Sequence, residues 1–262
     1  RIPVIDLNRF ETGDPTETKQ AAQQLDQACR EIGFLVITNH GVEASVQQAL
    51  YDAGHAFFDM ELDHKMTIRR PRDDQNRGYI PYGEETLARM HGGDTPPDYK
   101  EVFAIGPYDR PDDDYHSQDR SYPNFAPNLW PSGPATLEPA MKRYFDDIDG
   151  LSRRMAGYFA LALDLPVDWF ADKLDKHASQ LRLLHYPAVA EMDTSQSMRA
   201  APHADINLIT LLLGATDSGL ELLGKDGEWI PVTSTSDEIV LDTGDMMSRL
   251  TNNVFPSTVH RV

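Results

Sequence analysis

A chain of 262 residues with 40% apolar and 25% charged side chains has the make-up of an ordinary globular protein able to bury a sizeable core, and one domain with elaborations is the size expectation. Its formal charge of -18 disfavours nucleic-acid and anionic membrane partners, which need a basic footprint, and leaves a small molecule as the expected one. Cys29 is the single cysteine, so an internal disulfide and a thiolate zinc cluster are excluded and a reducing cytoplasm is the expected compartment.

No uninterrupted apolar run approaches the roughly eighteen residues a membrane span needs, and the N-terminus lacks the zones of a secretory signal. The chain starts at Arg1 rather than Met and stops two residues after a candidate ligand, His260. A working ligand is not expected so near a fraying end, so further residues are expected beyond both ends.

Ile2-Pro3-Val4-Ile5-Asp6-Leu7 is short and apolar with a proline near its start, which suits an edge strand. Asp14-Pro15 supplies an N-cap and a first-turn proline. Ala21, Ala22, Leu25, Ala28, Cys29 and Ile32 follow at helical spacing, and Gly33 is placed to stop that helix. Residues 34–38 read as a buried strand closed by Asn39-His40-Gly41. A second helix is expected from about Val42 to Met60, with Val46, Ala49, Leu50, Ala53 and Phe57 on its inner face. His40, His55 and His64 have no partner at ligand spacing and are read as structural or solvent-facing. Arg77-Gly78-Tyr79-Ile80-Pro81-Tyr82-Gly83 has loop chemistry, and its two tyrosines are of the kind that line a site. Residues 98–105 read as a short strand, and 110–134 as an irregular surface crossing anchored by Trp130. Leu137, Met141, Tyr144, Phe145, Ile148, Leu151, Met155 and Phe159 recur every three or four residues, the stripe of a long core helix. A shorter helix is expected over Val167 to His177.

Beyond Ser179 the period becomes that of strands. Leu181 to Tyr186 ends at Pro187, and alternation places Arg182, Leu184 and Tyr186 on one face. Leu220–Leu223 and Glu228–Val232 flank Gly224-Lys225-Asp226-Gly227, a hairpin signal, and Ile239-Val240-Leu241 adds a further strand. Helices followed by a succession of strands suggest an antiparallel barrel or sandwich dressed by helices.

From Ile206 to Leu213 the chain reads as a buried strand. On a strand, side chains two apart point the same way, so His203 and Asp205 stand side by side. A His-x-Asp pair arises by chance in a chain with nine histidines and forty-two acidic residues, but the segment from Thr251 to Val262 offers a second imidazole, His260. Two imidazoles and one carboxylate can occupy one face of an octahedron and leave adjacent positions open, the facial triad of non-heme Fe(II) oxygenases. On spacing alone, His203 and His260 as satisfied structural histidines remain the alternative. No nucleophile elbow, phosphate loop or dinucleotide fingerprint occurs, so hydrolase and dehydrogenase readings lose their main support.

These residues resemble the isopenicillin N synthase-like branch of the Fe(II)/2-oxoglutarate-dependent oxygenases over nearly the whole chain. The likeness is carried by Ile2-Pro3-Val4-Ile5-Asp6-Leu7, Ile32-Gly33-Phe34 through Asn39-His40-Gly41-Val42, Lys100-Glu101-Val102-Phe103, Pro202-His203-Ala204-Asp205, Gly244-Asp245, and Thr251-Asn252-Asn253 through Thr258-Val259-His260-Arg261-Val262. It implies a mainly β fold with flanking helices around a double-stranded β-helix, or jelly-roll, core. The expected organisation is one catalytic domain over 1–262: an N-terminal helical and strand region at 1–105, a loop and helices packing on the core at 106–178, and the core itself at 179–262, incomplete at its C-terminal end.

The resemblance further implies Fe(II) on His203, Asp205 and His260, with 2-oxoglutarate as cosubstrate and O2 as oxidant. Tyr186 lies where the family often hydrogen-bonds the 2-oxoglutarate carboxylate, and Leu184 stands where many relatives have Asn. The family's Arg-x-Ser clamp on the distal carboxylate would fall shortly after Val262. The implied activity is oxidation of an unactivated C–H bond of a small molecule, with succinate and CO2 as co-products. Hydroxylation is the default, and desaturation or cyclisation needs only another substrate pose. Arg182, Tyr79 and Tyr82 are the candidate substrate contacts, with a structural salt bridge as the competing role for Arg182. Two other functions stay open, a 2-oxoglutarate-independent oxidase of the isopenicillin N synthase type and a noncatalytic jelly-roll binding protein.

Overall fold

The computed structural model describes residues 2–86, 96–188, 198–214 and 217–262. Along them run β1 (Val4–Asp6), α1 (Asn8–Glu11), α2 (Pro15–Ile32), β2 (Phe34–Thr38), α3 (Ala44–Phe58), α4 (Leu62–Met66), β3 (Gly78–Ile80), β4 (Glu101–Ile105), α5 (Asp114–Ser117) and α6 (Tyr122–Phe125). Then come α7 (Leu137–Ala162), β5 (Leu181–His185), β6 (Ile209–Leu213), β7 (Glu221–Leu223), β8 (Trp229–Pro231), β9 (Ile239–Thr243), α8 (Asp245–Leu250) and β10 (His260–Arg261).

Helix α2 begins and ends on local signals. Asp14 accepts the Thr16 backbone N–H at 2.8 Å, Pro15 sits in the first turn, and Gly33 closes the helix at φ 67° with its N–H on the Cys29 carbonyl. A side chain at Gly33 would also meet the Pro256 carbonyl at 2.5 Å, so the helix stop is where the segment leading to β10 crosses.

The larger sheet has the order β1-β2-β9-β6. The edge strand β1 runs parallel to β2, and β9 is antiparallel to both β2 and β6, so strands from both ends of the chain share one sheet. Alternation along β2 sends Leu35 and Ile37 to one face, where with Ile239 and Leu241 they pack on Leu25 and Cys29 of α2, Phe57 of α3 and Met155 and Phe159 of α7. Phe34, Val36 and Val240 point the other way, onto Leu222 of β7 and Val232 just past β8, in the second sheet, β10-β7-β8. Two sheets face to face, with helices on the outer face of one, make a jelly-roll core with flanking helices. The third sheet, β3-β4-β5, aligns Glu101 with His185 and Ala104 with Arg182. Among the described residues no helix is long and apolar enough to cross a membrane.

Three of the expected elements differ in the structure. The stretch taken as a loop at 77–83 contains β3, because Tyr79 pairs with Phe103 of a distant strand. Val167 to His177 forms turns and a single 3-10 turn at Ala171–Lys173 instead of a helix; within it only Phe170 is buried, too little packing to hold a helix on the core. The strand expected from Ile206 starts at Ile209, after a turn that the site requires.

Candidate metal centre

His203 and His260 face each other across an isolated antiparallel bridge in which each backbone N–H donates to the other's carbonyl, at 3.0 and 2.8 Å. Residues directly opposite on antiparallel strands put their side chains on the same face, and the two rings lie with centroids 4.4 Å apart. Asp205, two residues beyond His203, turns Oδ1 toward both: 3.7 Å from His203 Nε2 and 3.7 Å from His260 Nε2. One ligand atom from each of the three lies within 4.8 Å of the others.

The surroundings of the three side chains select which atoms converge. His203 Nδ1 is 2.7 Å from the Ala201 carbonyl and His260 Nδ1 is 3.2 Å from the Thr258 carbonyl. A carbonyl only accepts, so each Nδ1 carries the proton and each Nε2 presents its lone pair to the site. The Thr210 hydroxyl donates to Asp205 Oδ2, is itself bonded by Asn207 Nδ2 at 2.8 Å, and so leaves Oδ1 for the imidazoles. Phe34 packs edge-on against His260 at 5.3 Å. Burial, and then the neighbouring His260 ring, lower the His203 pKa and favour the neutral imidazole that coordination needs. Asp242, buried on the same face of the sheet as Thr210, is held well above the usual carboxylate range by burial and by the Asp205 charge, which favours its protonated form.

The turn after Asp205 is held by the start of α8. The N–H groups of Gly244, Asp245 and Met246 donate to the carbonyls of Leu208, Asp205 and Asn207 at 3.1, 2.7 and 3.1 Å. These are helix-start donors that have no partner inside the helix. A Cβ at Gly244 would lie 2.3 Å from the Asn207 carbonyl, which is why glycine stands there. Sequence reasoning did not foresee α8; the Gly244-Asp245 block was its one visible trace.

The remaining candidates divide. Tyr186 is partly buried, its ring 5.8 Å from the Arg199 guanidinium, and burial pushes its phenol up to about 12, which keeps it a hydrogen-bond donor. Arg182 makes the salt bridge weighed against substrate contact, with one nitrogen 2.7 Å from both Glu85 oxygens, while its buried Nε has no partner. Tyr82 is 37% exposed, stacks obliquely on Tyr99 and lies 3.1 Å from His185 Nδ1. Tyr79 is a correction: it is 0% exposed, and its hydroxyl is committed to Glu101 at 2.5 Å, so it cannot touch a substrate.

Beside Arg182 lie three charged residues that the sequence did not single out as a cluster: the buried Asp98 and Lys100 and the partly buried Glu85. Burial by itself would raise the Glu85 carboxyl, but Arg182 and Lys100 overcome it and pull its pKa from the ordinary 4.5 down to about 2. A carboxyl lowered on folding contributes stability above its unfolded pKa and loses it as pH falls through the folded one, so this contribution is complete above about pH 4.5 and gone near pH 2. At 1.36 kcal/mol per unit it amounts to roughly 3 kcal/mol. Denaturant unfolding at pH 6, 4 and 2.5 is expected to show wild type losing more stability than Glu85→Gln over that window; parallel losses would contradict the assignment.

A jelly-roll in which two imidazoles and a carboxylate converge beside each other defines the non-heme iron class of oxygenases. Comparison with known proteins narrows this. Residues 2–133 match the family model of the non-haem dioxygenase in morphine synthesis N-terminal region, and residues 177–262 match that of the 2OG-Fe(II) oxygenase superfamily. A 2-oxoglutarate-Fe(II) type oxidoreductase of Aspergillus fumigatus is 30% identical over 264 residues, covering 99% of this chain and 77% of that one. A proline hydroxylase of Petromyces alliaceus is 32% identical, covering 98% and 79%. A Neurospora crassa structure in complex with α-ketoglutarate and thymine superposes with a TM-score of 0.84 at 27% identity, covering 100% of this chain and 79% of that one. The chain belongs to the 2OG-Fe(II) oxygenase superfamily and is a 2-oxoglutarate-dependent dioxygenase whose cofactors are Fe(II), 2-oxoglutarate and O2. The noncatalytic and 2-oxoglutarate-independent alternatives lose their ground. The donor set here, two imidazoles and a carboxylate without thiolate, fits that ion.

Proposed function

We propose that His203, Asp205 and His260 hold Fe(II), and that the protein hydroxylates an unactivated C–H bond of a small molecule. The observation that supports this most is the convergence of the three ligand atoms with both histidine Nδ1 protons already committed to backbone carbonyls. When bound, Fe(II) with 2-oxoglutarate and O2 supplies the oxidising power, and the cosubstrate leaves as succinate and CO2. The protein's residues supply position. Ala201 and Thr258 orient the imidazoles, Thr210 fixes the unused Asp205 oxygen, and the Tyr186 hydroxyl donates to a 2-oxoglutarate carboxylate. The partly exposed Arg182 side chain and the exposed Tyr82 contact the substrate. The relatives named above as proline hydroxylase or solved with thymine make small polar molecules the first panel to try.

With Fe(II), 2-oxoglutarate and O2, that panel is expected to yield one compound whose oxidation is matched mole for mole by succinate. Product without succinate would point to an oxidase of the isopenicillin N synthase type, and succinate with a desaturated or cyclised product would replace hydroxylation.

A further inference from the structure

The strand that carries His203 is irregular where it meets β10. Ala200 exchanges both backbone hydrogen bonds with Val262, at 3.2 and 3.1 Å, and His203 exchanges both with His260, at 3.0 and 2.8 Å. Three steps on one strand therefore oppose two on the other, and Ala201 and Pro202 together face Arg261: a β-bulge. A bulge takes backbone groups out of the ladder, and Pro202 has no N–H to lose. The N–H and carbonyl of Ala201, a residue only 4% exposed, are left to find partners elsewhere.

Both find them in side chains. The Ala201 N–H donates to Asp98 Oδ1 at 3.0 Å, and its carbonyl accepts the His203 Nδ1 proton at 2.7 Å. The other Asp98 oxygen holds Lys100 Nζ at 2.7 Å, and neither side chain has any exposure. Lys100 also meets Glu85 at 3.2 Å, which Arg182 clamps in turn. A fully buried ion pair gains little over an apolar pair of the same volume, so stability alone does not account for it. An apolar pair, however, could not accept the Ala201 N–H.

We propose that Asp98, neutralised by Lys100, is a positioning residue for His203: it clamps the Ala201–Pro202 bulge and thereby fixes the carbonyl that orients the imidazole. This rests on the reading of His203, Asp205 and His260 as metal ligands. The clamp makes the ligand's orientation depend on the approach to β4, about a hundred positions earlier in the chain, on two residues that are not among the three ligands.

The test is anaerobic calorimetric titration of the metal-free full chain with Fe(II). Asp98→Leu combined with Lys100→Met replaces the ion pair by apolar side chains of similar size and leaves Glu85 to Arg182. It is expected to fold with a modest loss of thermal stability from the orphaned Ala201 N–H, yet to bind Fe(II) roughly 10- to 100-fold more weakly, the range for losing a partner that orients a ligand. Asp98→Asn keeps an oxygen acceptor for Ala201 and is expected to stay close to wild type. Asp98→Ala, read in the same way, covers the case in which the double variant does not fold. Glu101→Ala, which breaks a different buried pair at the start of β4, is expected to lose stability without losing affinity. Wild-type affinity in the double variant or in Asp98→Ala overturns the clamp, as does an equal loss in Glu101→Ala, because affinity would then merely follow stability. A wild-type chain that binds no Fe(II) overturns the ligand reading and the clamp with it.

Discussion

Asp205→Ala is expected to bring 2-oxoglutarate turnover to the no-enzyme background and to weaken Fe(II) binding by more than roughly 100-fold, since losing even an orienting partner costs 10- to 100-fold. The fold is expected to survive. The Asp205 carbonyl still receives the Asp245 N–H at 2.7 Å, and Thr210, deprived of its carboxylate, keeps Asn207 as a partner at 2.8 Å. The stability cost is therefore confined to one hydrogen bond with a charged group, about 1–3 kcal/mol. His203→Ala should behave alike in turnover and metal affinity. Succinate release at wild-type rate in either variant, with circular dichroism unchanged, would end the assignment of these residues as ligands.

Glu101→Ala is expected to do the opposite, leaving the metal site and removing stability. The Glu101 carboxylate is buried in the β3-β4-β5 region with Lys65 Nζ at 2.9 Å, the Tyr79 hydroxyl at 2.5 Å and His185 Nδ1 at 2.8 Å. Burial alone would raise its pKa, but hydrogen bonds from His185, Tyr79 and Lys65, together with the Lys65 charge, bring it below the ordinary value. Without it the Lys65 ammonium, 8% exposed, is left with the Phe58 carbonyl and the Tyr79 ring face 5.6 Å away. Breaking one partner of such a pair costs about 3–5 kcal/mol, which for a chain of this size is a fall of roughly 6–20 °C in melting temperature. Replacing both partners, as Lys65→Met with Glu101→Met, is expected to recover most of the loss. A Glu101→Ala melting point within a degree or two of wild type would show that the network carries no such load.

The parts legible in the sequence were those whose cause is local. Asp14, Pro15 and Gly33 bound α2 as capping chemistry dictates, the eight-residue stripe from Leu137 to Phe159 is the inner side of α7, and Gly224-Lys225-Asp226-Gly227 turns β7 into β8. The approach of His203 and Asp205 was legible too, although the strand argument behind it was incomplete: Ala204 and Asp205 lie outside any regular strand, and the turn held by α8 completes the placement. The loop expectation at 77–83 failed for a non-local cause. Tyr79 looked like a loop aromatic because its partners, Phe103 and Glu101, are more than twenty positions away.

Residue types and their order determined that this chain owns two imidazoles and one carboxylate suited to Fe(II), that its long helices carry one apolar stripe each, and that its family is recognisable. Tertiary structure alone decided that His203 and His260 are opposite partners on antiparallel strands, that a bulge hands Ala201 to Asp98, and that Arg182 spends one nitrogen on Glu85 while keeping Nε free. The reason is physical. Capping, turn chemistry and periodicity act over a few residues and leave a mark in the sequence at the place where they act. The pairing register between strands and the fate of a buried charge depend on groups brought together only when the sheets close.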